Sequence, residues 1–230
     1  MLEKPLFTEN QQLVSLEDLL GDDHTGSGLD TPVRKDAFRL TDDEKIALIT
    51  GKFREILDIL GMDLNDDSIK GTPKRVAKMY VKEIFGGLNP ALKPEATLFD
   101  NSYKYSQMLV EKNITVHSTC EHHFVPIIGK AHVAYISSGK VIGLSKLNRI
   151  VDYYSRRPQV QERLTSQIAD ALVDILQPGG VIVIIDCEHL CMSMRGVRKS
   201  QARTTTSAVR GQLLNPATRA EAISLINQSR

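Results

Sequence analysis

The sequence predicts an α+β protein: an antiparallel sheet with two consecutive helices on one face, preceded by a helical segment. Three patterns carry that prediction. Apolar residues recur at helical spacing as far as Ile84, strand-like alternation begins after about residue 94, and two amphipathic stretches then follow one another between strands.

Residues 1–40 read as a variable, mobile tail, because Gly21-Asp-Asp-His-Thr-Gly-Ser-Gly28 is polar and glycine-rich. A helical N-terminal segment spans 41–93. Thr41-Asp-Asp-Glu44 forms a capping box, in which hydroxyl and carboxylate satisfy the free amides of a helix start. Ile46, Ile49, Phe53, Ile56, Leu57 and Leu60 then recur with helical period, and Gly61 offers a stop. A second helix opens at Thr72-Pro73, where proline's missing amide costs nothing, and Val76, Tyr80 and Ile84 line one face before Gly86-Gly87. A second domain is expected over 94–230. Ile114 to Cys120 alternates like a half-buried strand, and Phe124 to Ile136 reads as two strands around Gly129-Lys130. Helices are expected over 145–156 and 158–176, the second with Pro158 near its start and Val160, Leu164, Ile168, Leu172 and Ile175 as its core stripe. Strands at about 181–194 and 202–209 close the chain.

Composition narrows the classes of function. With 29 basic against 28 acidic residues among 230, the chain lacks the electrostatic footprint of a general nucleic-acid binder. Three cysteines cannot all pair and fit a reducing compartment. The start, Met-Leu-Glu-Lys-Pro, has no apolar stretch of signal-peptide length, and no run approaches the roughly 20 apolar residues that cross a bilayer. A cytoplasmic protein without a nucleic-acid or membrane partner is expected.

Chemistry concentrates in Cys120-Glu121-His122-His123 and His189-Leu190-Cys191. Zinc takes sulfur and nitrogen ligands, and a catalytic site keeps three protein ligands and one open position. Cys120, His123 and Cys191 would make such a site, leaving His122 and His189 to move protons near neutral pH. The competing reading is a closed structural site with Cys187 or His189 as fourth ligand, since residues 187, 189 and 191 of a strand share one face at roughly 6.6 Å per two residues. Cys187 itself, in the apolar run Val181–Ile185, reads as a small buried hydrophobe.

Basic residues flank these motifs: Lys146, Arg149, Arg156 and Arg157 on one side, Arg195, Arg198, Lys199, Arg203 and Arg210 on the other. Such residues commonly form a solvated face, but beside a metal site they suit a polyphosphate. Ser145-Lys146 at a helix start adds backbone amides that favour an anion. Glu162 falls in the first turns of a helix, where the dipole favours a carboxylate, and it could equally accept the paired N–H groups of guanine.

At these residues the chain resembles GTP cyclohydrolase I. The resemblance lies in Ser118-Thr-Cys-Glu-His-His-Phe124, Gly143-Leu-Ser-Lys-Leu-Asn-Arg-Ile150, Arg157-Pro-Gln-Val-Gln-Glu-Arg-Leu164, His189-Leu-Cys-Met-Ser-Met-Arg-Gly196 and Thr72-Pro-Lys-Arg-Val-Ala-Lys-Met-Tyr80, and covers roughly residues 42–225. It implies conversion of GTP and water to formate and 7,8-dihydroneopterin triphosphate, at the entry to folate-type pterins. It also implies the tunnelling fold and a toroidal homodecamer of two pentamers with active sites between subunits. Carried over by motif, Cys120, His123 and Cys191 would hold one Zn2+ per subunit. His122 would protonate the imidazole ring of guanine and His189 would assist hydration or ring opening. Glu162 with Gln161 would fix the guanine edge; Ser145, Lys146, Arg149 and Arg195 would take the triphosphate, with Arg75 reaching in from a neighbouring subunit. Two rivals are weighed against this: a same-fold reductase of the 7-cyano-7-deazaguanine type with a nucleophilic cysteine, and a non-enzymatic zinc-stabilised RNA-binding module. Three ligand-type positions together disfavour the first, and scarce aromatics with no Trp disfavour the second.

Overall fold

The computed structural model describes residues 28–228. Of the stretch read as a tail, residues 1–27 lie outside the described residues. Residues 28–40 contain no helix or strand, and they lie against a later helix, with Thr31 buried.

Helix α1 (Asp42–Ile59) starts by the expected capping box: Thr41 Oγ1 accepts from the Glu44 amide, and Glu44 Oε2 accepts from the Thr41 amide at 2.7 Å. It stops by a Schellman arrangement, with Gly61 at φ +77°, its amide on Asp58 O and the Met62 amide on Leu57 O. Of its apolar stripe only Ile46 is buried, while Ile56 and Leu60 stay exposed. Helix α2 (Thr72–Met79) opens with Thr72-Pro73 and runs into a π-type turn over Tyr80–Ile84.

Strands β1 (Leu98–Asp100) and β4 (Lys140–Ile142) make a short antiparallel ribbon. The main sheet comprises β2 (Met108–Cys120), β3 (Pro126–Ile136), β5 (Pro158–Gln159), β6 (Gly180–His189) and β7 (Thr204–Gly211) in the order β5-β2-β3-β6-β7. All its pairs are antiparallel except β2 with β5. Helices α3 (Leu144–Ser155) and α4 (Gln161–Leu176) cover one face, placing Leu147, Ile150, Leu164, Ile168 and Leu172 against Val116, Val133, Val181, Val183 and Ile185. Each such side chain contributes about 1.5–3 kcal/mol when fully buried, so this face holds most of the core energy. The fold is thus α+β with consecutive helices on one face of an antiparallel sheet, as expected.

Four local expectations are corrected. Gly129 marks no turn: β3 runs straight through it, because a Cβ there would collide with the Asp186 carbonyl and Cys187 of the neighbouring strand, and only glycine permits that approach. Pro158 does not start a helix; it belongs to β5, and α4 begins at Gln161. Strand β6 ends at His189 rather than 194, because its partner β3 begins at Pro126, one residue past the Ile127–His189 pair, and offers no further ladder. The chain then turns into the short helix α5 (Leu190–Ser193). Finally, a helix that the sequence reading lacked, α6 (Pro216–Asn227), covers the opposite face. Asn215 Oδ1 caps it, and its Ala222 packs with Ala134, Ile182 and Leu213. Among the described residues no helix is long and apolar enough to cross a membrane.

Candidate metal centre and active site

The ends of β2, β6 and β5 meet at one edge of the sheet. Cys120 closes β2 and pairs with Gln159 of β5, while His189 closes β6 opposite the start of β3. After Cys120 the chain makes one helix-like turn: the Phe124 amide donates to Cys120 O at 2.9 Å, and Phe124 takes φ +51° before the chain reverses into β3. Residues three apart on such a turn share a side, which is why Cys120 and His123 converge. Helix α5 brings Cys191 to the same place. The ligand atoms of Cys120, His123 and Cys191 all lie within 4.8 Å of one another, a group that could hold a metal ion.

Two sulfurs and one imidazole are a donor set suited to zinc. Burial pushes the Cys191 thiol up to about 11, and the adjacent Cys120 sulfur adds to the effect. Two neighbouring thiols resist ionising together; a divalent cation between them would reverse that and draw both to thiolates. Cys187 differs. It is fully buried in the core under α4, burial pushes its thiol up to about 12, and it stands outside the ligand group. With β6 ending at His189, residues 187, 189 and 191 do not line one strand face, and among the described residues the group has three members, not four.

His189 is instead held by α4. Its Nε2 lies 2.8 Å from Gln161 Oε1. The Gln161 amide nitrogen donates to Ile185 O (3.0 Å), Thr204 O (2.8 Å) and Thr206 Oγ1 (3.1 Å), and these acceptors fix which way the amide faces. Gln161 Oε1 must therefore accept, so His189 carries its proton on Nε2 and presents Nδ1 as the basic nitrogen. Burial lowers the His189 pKa, with the Glu162 carboxylate acting weakly in the opposite sense, so the ring is neutral at pH 7. The same network keeps the Gln161 side chain buried and hydrogen-bonded within its own chain, where it orients His189. Glu162, one residue on, is exposed in the first turn of α4 and near enough to His189 to influence it.

His122 is exposed beside the ligand turn, with Nδ1 at 3.6 Å from Cys120 Sγ and Nε2 at 3.9 Å from Glu121 Oε1. Sequence reasoning passed over Glu121 and Arg163. They form a two-pronged ion pair, Arg163 Nη1 to Glu121 Oε2 at 2.6 Å and Nη2 to Oε1 at 2.8 Å, with the Arg163 side chain only 3% exposed. The available signal was an acidic residue inside Cys-x-x-His and an arginine two positions after Gln161.

The cations divide. Arg203 pairs with Asp186 and Arg210 with Asp170, both carboxylates from elsewhere in the chain, and Arg157 stacks on Tyr153 and Tyr154 while its Nε donates to Gly87 O. Lys146, Arg149 and Arg195 have no carboxylate within ion-pair distance among the described residues. Arg195 sits close enough to favour the Cys191 thiolate. Lys146 and Arg149, with Lys82 and Arg156, line a separate cavity of about 430 Å3 whose walls include no metal ligand and neither Glu162 nor Arg195. Ser145 is exposed in the first turn of α3, which has no side-chain cap. Arg75 is exposed on α2, donating to Ser68 O and Thr72 Oγ1. Within one chain, then, the ligands, both histidines, Glu162 and Arg195 come together, whereas Ser145, Lys146, Arg149 and Arg75 do not join them.

A family model described as GTP cyclohydrolase I matches residues 49–227. Similar curated proteins carry the name GTP cyclohydrolase 1. One from Flavobacterium johnsoniae is 59% identical over 209 residues, covering 91% of this chain and 94% of its own. One from Streptomyces griseus is 58% identical over 178 residues (75% and 86%), and one from Vibrio parahaemolyticus 52% over 195 (84% and 89%). The matched span holds both halves of the metal centre, and this chain belongs to the GTP cyclohydrolase I family of hydrolases.

Proposed function

We propose that the chain catalyses zinc-dependent hydrolysis and rearrangement of GTP to formate and 7,8-dihydroneopterin triphosphate, the first step toward tetrahydrofolate-type pterins. The observation that carries this reading is the convergence of Cys120, His123 and Cys191 beside a neutral, tautomer-fixed His189. Those three residues would hold the zinc ion, one per subunit. When bound, zinc supplies a Lewis acid able to activate water at neutral pH. In this reading exposed His122 delivers a proton to N7 of guanine, and Nδ1 of His189 accepts or returns one during hydration and ring opening. Glu162 accepts the paired N–H groups of the guanine edge, which gives the site its preference for that base.

The triphosphate falls to Ser145, Lys146, Arg149 and Arg195, with Arg75 from another subunit. Support comes from the cations: Lys146, Arg149 and Arg195 have no carboxylate within ion-pair distance among the described residues, and Arg75 is exposed on α2, away from the metal ligands of its own chain. Support for a tunnelling-fold toroid, a decamer of two pentamers with sites between subunits, comes from that position of Arg75 and from the exposed apolar stripe of α1. In this reading residues 94–230 form the catalytic unit, 41–93 a helical segment ahead of it, and the protein works in the cytoplasm.

The test is direct. Purified chain incubated with GTP is expected to release formate and a pterin chromophore in equal amounts, with one zinc per chain and loss of both products after chelation. GTP consumed without formate, or full activity in metal-free protein, would overturn the reading.

A further inference from the structure

We propose that the Glu121–Arg163 ion pair is a positioning device for the metal centre, holding the 120–123 turn in the shape that lets Cys120 and His123 meet Cys191. Glu121 stands between the two ligand residues of the turn, yet its carboxylate is directed at α4, where both oxygens meet the Arg163 guanidinium at 2.6 and 2.8 Å. The guanidinium is fixed along a third direction, since its Nε donates to Gly28 O at 3.0 Å. The backbone of the turn is tied to the same region, with the Glu121 amide on Gln159 O at 3.1 Å.

Helix α4 therefore has two tasks at this edge. Gln161 orients His189, and Arg163, two residues later, orients the ligand turn. Leu164 beside them is fully buried, so this end of α4 is anchored in the core and transmits the position of one group to the other. The pair has a second consequence. A carboxylate one residue from a ligand is itself a competent zinc ligand; the two-pronged arginine holds that of Glu121 aside. Because both oxygens of the carboxylate are engaged, its 3.9 Å neighbour His122 also faces a fixed charge rather than a swinging one.

A buried ion pair is a poor stabiliser of a fold and can often be replaced by apolar residues without loss of stability. Positioning and stability can thus be separated by experiment. The inference rests on the zinc reading above, so zinc affinity is measured first on the unaltered full-length chain by competition with a chelator. Failure to bind zinc there would sink both. Glu121→Gln, Arg163→Met and the paired Glu121→Leu/Arg163→Met variants are then compared for zinc affinity, thermal unfolding and GTP kinetics. Each single variant is expected to weaken zinc binding by about 10- to 100-fold, the range for groups that orient ligands, and to lower kcat with KM for GTP changed by less than about twofold. The paired variant should unfold at the temperature of the unaltered protein but remain weak for zinc. Unchanged zinc affinity in the single variants, or its recovery together with stability in the paired one, would reduce the ion pair to a fold element while leaving the zinc reading intact. If the single variants do not fold, the paired variant decides alone.

Discussion

The metal edge of the sheet and the cavity beneath α3 are both rich in charged and polar side chains, but they are built differently. At the metal edge the buried groups have partners in the same chain: Glu121 with Arg163, His189 with Gln161, Gln161 with two carbonyls and a threonine. In the cavity Arg156 pairs with Asp152, while Lys146 and Arg149 have no carboxylate partner among the described residues. Groups that move protons need fixed geometry, and buried hydrogen bonds provide it. Groups that hold an anion need to stay available until the anion arrives, and solvated arginines and lysines provide that. Within one chain, then, the groups beside Cys120, His123 and Cys191 hold one another in place, whereas Lys146 and Arg149 lack a carboxylate among the described residues.

The strongest challenge to that contrast is removal of a ligand. Cys191→Ser is expected to abolish zinc binding and formate release together, whereas Cys187→Ser, buried and outside the group, should keep both. Metal analysis and product assay on the same preparations decide it; an active, zinc-replete Cys191→Ser protein would remove Cys191 from the centre. Next comes His189→Ala, which should retain zinc and fall in rate by roughly 10²–10⁴-fold. Loss of zinc from that variant would return His189 to the ligand shell.

The cations then sharpen the comparison. Arg149→Ala and Arg195→Ala should each lose a charge-assisted contact of about 1.5–3 kcal/mol, seen as a roughly 10- to 100-fold rise in KM for GTP. Arg203→Ala and Arg210→Ala, which lose only partly exposed pairs with Asp186 and Asp170, should leave KM unchanged and lower stability by less than about 1 kcal/mol. Equal effects in the two sets would erase the distinction.

The smallest effect concerns a histidine outside both regions. His132 on β3 accepts from the Asn113 amide at 3.4 Å, and burial, with Lys112 nearby, lowers its pKa below 6.5. As pH falls the unfolded chain takes the proton first, so the contribution of His132 to stability is full above pH 6.5 and is lost on acidification. Urea unfolding between pH 7.5 and pH 5.5 (about two units spanning the ordinary histidine value) should show a shallower decline in His132→Gln than in the unaltered chain. His132 and His189 share a burial-lowered pKa, yet only His189 faces the ligand group, so the shift alone does not mark a catalytic residue.

Much of this molecule was legible in its residues because the signals are local. Thr41 and Glu44 cap a helix through atoms three residues apart, and Cys120 and His123 meet on a single turn, so spacing alone reports them. The helix pair over the sheet and the long strands β2, β6 and β7 followed from period, and the Cys-His-Cys group from motif. Other features depend on residues far apart in the chain. Gly129 looks like a turn until Cys187 lies against it, and β6 stops because only Pro126, with no amide to donate, remains on β3 beyond the Ile127–His189 pair. Helix α6 carried its signal in Asn215-Pro216, but its apolar face is too weakly patterned to declare which surface it covers.

The residues in order were enough for the family, for the Cys120–His123 turn and for the helix pair over the sheet, since each is written in neighbours a few residues apart. The folded chain alone shows what the polar side chains meet: that Gln161 turns inward onto His189, that Arg163 meets Glu121, and that Arg203 and Arg210 have carboxylate partners while, among the described residues, Arg149 and Arg195 have none. The physical reason is that a hydrogen bond or ion pair is fixed by distance in space, and no spacing along the chain encodes a meeting of residues 42 positions apart.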